Sequence, residues 1–130
     1  MKLFVDDLRN PYDDTWTLAR TNTEAIRLLA TGYVSEISVD HDICAPAYLE
    51  LPDRIKKRLR IGEETFQPVA YYLSVMPEAI RPTKIKFHTA NPDGAAKMMS
   101  ILKTAGIEST YEQGSYIIVD VEDKNDSDEL

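Results

Sequence analysis

Apolar residues in this chain fall in short runs that stop at charged or polar residues. The run KLFV at 2–5 ends at an acidic pair, and the run EISV within 34–40 ends at Asp40. Short apolar runs with polar boundaries are typical of buried strands. The sequence predicts such strands at KLFV (2–5), TWTLAR (15–20), VSEISVD (34–40) and KIKFHTA (84–90).

Helical periodicity occupies the segments that follow the later strands. In TNTEAIRLLATG (21–32), Thr21 stands three residues before Glu24, which is the spacing of a capping box, and apolar residues follow at helical intervals. NPDGAAKMMSILKTAG (91–106) begins with an asparagine in the N-cap position and a proline in the first helical position. ETFQPVAYYLSVM (64–76) is also predicted to be helical, with its proline in the first turn.

Strands that alternate with helices indicate an α/β fold, here a three-layer sandwich with a mostly parallel central sheet. One connection departs from the pattern: about ten residues join 2–5 to 15–20 without a helical period, whereas parallel crossovers normally take a dozen or more. Either an extended loop crosses the sheet or the second strand is antiparallel. After the last helix, GIESTYEQGSYIIVDV (106–121) predicts a C-terminal hairpin that turns near Gln113 and Gly114.

Charge changes this picture at the C-terminus. The chain has 130 residues, a length typical of one domain, and a net charge of −7. Residues 122–130 hold five acids and one lysine, so we expect a disordered acidic tail after a single domain at 1–121. That domain then has a net charge of about −3, which is too close to neutral to attract duplex DNA by charge alone.

The sequence predicts neither export nor a membrane anchor. No apolar run approaches the roughly 20 residues that span a bilayer, and the acids Asp6 and Asp7 come before a signal peptide's apolar region could form. The single cysteine, Cys44, excludes an internal disulfide. We therefore expect a cytoplasmic protein.

Residues that can do chemistry follow three of the predicted strands. The carboxyl ends of parallel strands meet at one edge of a sheet, and ligands of α/β proteins bind there. We therefore expect one site with carboxylates, two imidazoles, a hydroxyl and an amide. Its residues would be Asp6, Asp7, Asp40, His41, Asp42, His88, Thr89 and Asn91.

His41 and His88 are the only histidines in the chain. Imidazole titrates near neutral pH, so two imidazoles around one phosphorus can act as acid and base. A histidine after an apolar run is also common as a structural residue, and both interpretations stay open. With Asp40, the two histidines are the candidate catalytic residues.

Asp6, Asp7 and Asp40 would bring together hard carboxylate oxygens, which are ligands for Mg²⁺ or Mn²⁺. Acids at the start of loops can instead cap turns and helix ends. Asn91 is predicted to be an N-cap in either case, with a second role as a donor to a phosphate group.

A basic run at 54–60 places five cations in seven positions. It is either a solvated helix face or a flap that neutralises a phosphate-bearing substrate such as an RNA end. In the second case Arg54 and Lys57 are candidate substrate-binding residues.

Several segments resemble a known family. KLFVDD, EISVDHD and IKFHTA resemble the first, third and fourth strands of response-regulator receiver domains. FVDDLRNP, SVDHDI and HTAN more narrowly resemble the divergent cyclic-phosphate processing receiver domains. The resemblance covers most of 2–106 and implies a flavodoxin-like receiver fold that lacks the first helix. It implies a metal-binding pair at Asp6 and Asp7 and a phospho-acceptor at Asp40. It also implies a switch hydroxyl at Thr89 that contacts the phosphate, and it places the family's histidines at His41 and His88.

The chain departs from ordinary receivers in one further respect, because no lysine follows a fifth strand beside the phosphoryl group. Lys124 lies in the acidic tail. The resemblance thus implies a phosphoesterase (a cyclic phosphodiesterase) or a binder, acting on a cyclic nucleotide or on an RNA end with a cyclic phosphate. Two alternatives stay open: a stand-alone receiver phosphorylated at Asp40, and a non-catalytic module that sequesters a cyclic nucleotide.

Overall fold

The computed structural model describes residues 1–43, 52, 54 and 65–113. Within these residues the strands are β1 (Lys2–Val5), β2 (Trp16–Ala19), β3 (Glu36–Val39), β4 (Lys84–Thr89) and β5 (Thr110–Gln113). All five are parallel and lie in the order β2-β1-β3-β4-β5, which is the order of flavodoxin-like proteins. The prediction of an α/β fold with a parallel sheet is confirmed.

The described helices are α1 (Asn22–Leu29), α2 (Gln67–Val75) and α3 (Pro92–Thr104), with a short 3-10 helix at Glu78–Ile80. They form one layer on the sheet, because α1 packs against α2 and α2 packs against α3. Local capping positions two of them as predicted. The Thr21 hydroxyl accepts a hydrogen bond from the Glu24 N–H (3.1 Å), and the Asn91 side chain accepts one from the Gly94 N–H (3.0 Å).

The connection from β1 to β2 is an extended loop, residues 6–15, and β2 is parallel to β1. Of the two alternatives left open by the sequence, the loop that crosses the sheet is the correct one. The helical connections all move along the sheet in one direction and this loop moves in the other, so right-handed crossovers put it on the opposite face. There the Tyr12 ring packs edge-on against Phe4 of β1, with ring centroids 5.4 Å apart.

Alternation along the strands separates two faces of the sheet. On one face, Leu3, Ile37 and Phe87 belong to the buried core that the sheet forms with the helices. Phe4, Ser38 and His88 have the opposite parity and are also buried, but beneath the loop. We call this second side the loop face, and it is where polar groups lie inside the fold.

Some predictions fall outside the described residues. β5 is the first strand of the predicted hairpin, whereas its second strand and the acidic tail at 122–130 lie beyond Gln113. Among the described helices, none is long and apolar enough to cross a membrane.

Candidate functional site

Three carboxylates converge at the carboxyl edge of β1 and β3. One oxygen from each of Asp6, Asp7 and Asp40 lies within 4.8 Å of the others. Asp6 is 1% exposed and Asp40 is 6% exposed, while Asp7 is half-buried. Hard oxygens at this spacing, partly open to water, fit a divalent cation such as Mg²⁺, which binds through one or two carboxylates and keeps several waters.

Asp6 is held as an ionised group. Its Oδ1 accepts hydrogen bonds from the N–H groups of Leu8 (2.9 Å) and Arg9 (2.8 Å), and its Oδ2 lies 2.9 Å from His88 Nε2. Burial raises the pKa of Asp6, but the hydrogen bonds from His88 and from the two backbone N–H groups together lower it by more, so the pKa lies below its ordinary value.

Asp40 has the opposite electrostatic character. Burial and the neighbouring charge of Asp6 raise the pKa of Asp40 to about 7. The His41 N–H (2.8 Å), the Arg9 guanidinium and the Thr89 hydroxyl act against this rise but do not cancel it. Negative charge therefore exceeds positive charge in this cluster even with Arg9 nearby, which is a second reason why it fits a cation.

Arg9 is a site residue that our reading of the sequence missed. Its Nη1 lies 3.8 Å from Asp6 Oδ2 and 3.9 Å from Asp40 Oδ1, and its side chain is 20% exposed. The Arg20 side chain donates to the Arg9 carbonyl (2.8 Å) and holds the loop in place. The signal was present, since a cation three residues after Asp6 in a turn can fold back on the acidic pair.

His88 lies on the loop face and is fully buried. Its ring stacks on Phe4, with centroids 4.3 Å apart and planes at 10°. Nδ1 is 2.7 Å from the Ser38 hydroxyl and Nε2 is 2.9 Å from Asp6. Burial lowers the pKa of His88 although Asp6 acts in the opposite direction, so the neutral form of the imidazole is favoured. Both ring nitrogens have partners.

His41 lies on the helix side, between the N-terminal turns of α2 and α3. Its Nδ1 is 2.7 Å from Asp42 Oδ1, and its Nε2 is 3.1 Å from the Gln67 amide nitrogen. A carboxylate only accepts, so Nδ1–H donates to Asp42 and the Gln67 amide donates to Nε2. The Asn91 amide reaches the same Asp42 carboxylate at 3.4 Å.

The predicted residues thus form two adjoining groups. Asp6, Asp7, Asp40, Thr89 and His88 come together around the acids, and His41 belongs with Asp42, Gln67 and Asn91. No hydrogen bond or ring contact between His41 and His88 occurs within the described residues. Arg54 is exposed, and Lys57 lies outside the described residues.

A protein-family model for the cyclic-phosphate processing receiver domain matches residues 1–104. The chain belongs to this family. The resemblance found from the sequence motifs is therefore confirmed, and the match includes every candidate residue of the acidic and histidine groups. For this receiver domain, no significant match is found among curated proteins or among solved structures.

Gly94 of this receiver domain is required by the position of His41. A Cβ at Gly94 would lie within 2.7 Å of three atoms of the His41 ring. In a helix, alanine would otherwise be favoured over glycine by about 1 kcal/mol, so the overlap with His41 determines whether the substitution stabilises or destabilises the fold. We expect Gly94→Ala to destabilise the fold by about 1–3 kcal/mol and to displace His41 from Asp42.

Denaturant unfolding of Gly94→Ala, alone and combined with His41→Ala, tests this contact. Removal of the ring should restore much of the lost stability, so the two substitutions should be strongly coupled. Ser100→Ala, an exposed position on the same helix, is the control. A Gly94→Ala protein as stable as wild type would contradict the packing described above.

Proposed function

We propose that this receiver domain binds the cyclic phosphate of a nucleotide or of an RNA end and hydrolyses it, with a divalent cation on Asp6, Asp7 and Asp40. The observation that carries the proposal is the convergence of these carboxylates within 4.8 Å in a family associated with cyclic-phosphate processing. When bound, Mg²⁺ or Mn²⁺ would stabilise negative charge on the phosphoryl oxygens.

Arg9 would contact the phosphate directly. Its distances of 3.8 and 3.9 Å to Asp6 and Asp40 are too long for strong hydrogen bonds, and its head is partly solvated, so little energy is lost when it turns to a phosphate. The Thr89 hydroxyl beside Asp40 and the Asn91 amide would complete the polar lining. Arg54 and Lys57 remain proposed contacts for a longer RNA substrate.

We assign different roles to the two histidines. Asp42 orients His41 through Nδ1, which leaves Nε2 to accept the proton of the attacking water once the Gln67 amide turns aside. The phosphorus would gain the water oxygen and lose one ribose oxygen, which solvent water would protonate. His88 has no free nitrogen, so its effect on the reaction would pass through Asp6.

A cleft at the carboxyl end of β2 could receive the rest of the ligand. Its volume is about 420 Å³, within the range of small-molecule sites. Arg20 lines it and also donates to the carbonyls of Asp6 and Arg9, so the cleft adjoins the acidic cluster. A larger cleft between α3 and residues 107–109 contains none of the candidate residues.

Incubation of the full chain with cyclic mononucleotides, cyclic oligonucleotides and RNA with a cyclic-phosphate end, followed by mass analysis, tests the proposal. We expect at least one ligand to gain the mass of one water when Mg²⁺ is present and to be unchanged when EDTA is present. A ligand that is retained but returned unchanged would indicate sequestration. Transfer of phosphate from acetyl phosphate to Asp40 would instead indicate a signalling receiver.

A further inference from the structure

A chain of hydrogen bonds runs through the loop face and ends at Asp6. The Tyr12 hydroxyl lies 3.1 Å from Ser38 Oγ, which lies 2.7 Å from His88 Nδ1, and His88 Nε2 lies 2.9 Å from Asp6 Oδ2. Ser38 and His88 are fully buried, so water does not compete for the contact between them. We call these four side chains the loop-face chain.

The protons of this chain are determined from its Asp6 end. Asp6 Oδ1 accepts two backbone N–H groups, and its Oδ2 is the acceptor for His88, which donates from Nε2. In this tautomer Nδ1 carries the lone pair of the ring and accepts from the Ser38 hydroxyl. With its single proton used in this way, Ser38 can only accept from Tyr12.

The Tyr12 hydroxyl has one proton and two acceptors, Ser38 and Glu112 Oε1 at 3.0 Å. Lys86 Nζ lies 2.9 Å from the same Glu112 oxygen. Glu112 accepts from both Lys86 and the Tyr12 hydroxyl, and the single Tyr12 proton is shared between Glu112 and Ser38 Oγ as a three-centre hydrogen bond. Lys86 also lies over the Tyr12 ring, 4.8 Å from its centroid, which fixes the ring in place.

We propose that Ser38 and Tyr12 are positioning residues, which hold His88 as the Nε2–H tautomer against Asp6 and so keep the Asp6 carboxylate oriented for the divalent cation. The proposal rests on the proposed function, because it requires Asp6 to bind the cation. Substitution of a residue that orients a metal ligand commonly weakens the affinity for the metal by 10- to 100-fold. Tyr12 belongs to the same loop as the acidic pair, so the packing of its ring against the sheet also positions Asp7 and Arg9.

Two measurements on the full chain test this inference: the ¹⁵N signals of the His88 ring by NMR, and the affinity for Mg²⁺ alone by titration. The variants are Ser38→Ala and Tyr12→Phe, which remove one hydroxyl each and keep the surrounding packing. Matched controls are Ser74→Ala, whose hydroxyl donates to the Tyr71 carbonyl within the helix α2, and Tyr33→Phe, whose side chain is 76% exposed.

In the wild type we expect the ring pattern of an Nε2–H tautomer. Ser38→Ala should change that pattern and weaken Mg²⁺ binding by about 10-fold or more, Tyr12→Phe should have a smaller effect in the same direction, and the controls should have none. If Ser38→Ala does not fold, Tyr12→Phe decides the same question at a partly exposed position.

Three results would overturn the inference: an Nδ1–H tautomer in the wild type, an unchanged Mg²⁺ affinity when Ser38→Ala alters the His88 signals, or equal effects in variants and controls. A wild type that does not bind Mg²⁺ would overturn the metal site of the proposed function, and with it the role of Asp6 as a ligand. The NMR pattern would then still decide whether His88 is held as proposed, so the two failures are distinguishable.

Discussion

Without divalent cations, the free energy of unfolding of the wild type should fall relative to that of Asp40→Asn as the pH rises from 3.8 to about 7. These two values are the ordinary pKa of an aspartate and the pKa of Asp40 in the folded protein. In this range the folded state keeps a proton that the unfolded state has released, so the unfolded state binds fewer protons and stability falls. Above the folded pKa, the loss is complete. We expect Asp40→Asn to be more stable than the wild type there by on the order of 2 kcal/mol.

The comparison with the variant is necessary because His88 acts in the opposite direction. Burial lowers its pKa, so the folded state binds fewer protons than the unfolded state near and below 6.5, and stability rises with pH there. The difference between wild type and Asp40→Asn removes this contribution. Chemical unfolding across this pH range measures it, with the exposed Asp14→Asn as a control for the change in net charge. A difference that does not vary with pH would contradict the raised pKa.

Mg²⁺ should reverse this loss in the wild type at pH 8. A ligand that binds only the folded state at one hundred times its Kd adds about 2.7 kcal/mol to the free energy of unfolding. Asp40→Asn should lose most of that gain, whereas Asp14→Asn should keep it. A melting temperature that millimolar Mg²⁺ leaves unchanged in the wild type would contradict the metal site and leave the fold unaffected.

Much of this fold could be predicted because its signals are local. The caps at Thr21 and Asn91 lie within three residues of the N–H groups that they accept, and the apolar runs of the strands are continuous in sequence. The acids at the ends of β1 and β3 could be paired for a similar reason, since the carboxyl ends of neighbouring parallel strands must meet.

The loop face could not be predicted, because its contacts join distant parts of the chain. Tyr12 is 26 residues from Ser38 and 100 residues from Glu112, and no periodic pattern connects them. One signal was present: Ser38 is a polar residue within the buried run EISV, and a polar side chain inside the fold needs a partner.

The separation of the two histidines also follows from strand parity. Ser38 and Asp40 share the loop face, so the side chain of His41, one residue later, turns towards the helices, while His88 shares the parity of Lys86 on the loop face. Two imidazoles at one sheet edge therefore need not face one substrate. This difference changes what their substitutions are expected to do.

His41→Ala should lose about 10²- to 10⁴-fold in turnover of a confirmed substrate, the usual size of an acid–base contribution, and should bind Mg²⁺ nearly as well as the wild type. His88→Ala should lose both turnover and about 10- to 100-fold in Mg²⁺ affinity, since Asp6 loses the N–H donor at Oδ2. Turnover and Mg²⁺ titration on the same preparations measure both effects.

His88→Gln decides between a positioning role and direct proton transfer. Its amide nitrogen can still donate to Asp6 but does not titrate in the range of imidazole, so a positioning role predicts that His88→Gln recovers much of the Mg²⁺ affinity and turnover that His88→Ala loses. Direct acid–base pairing of His41 and His88 predicts a different result. In that case the wild-type rate has a bell-shaped dependence on pH. His88→Gln would bind Mg²⁺ but be as inactive as His88→Ala, and its residual rate would lack one limb of the bell. We expect the first result, because both nitrogens of the buried His88 ring are already bonded within the fold.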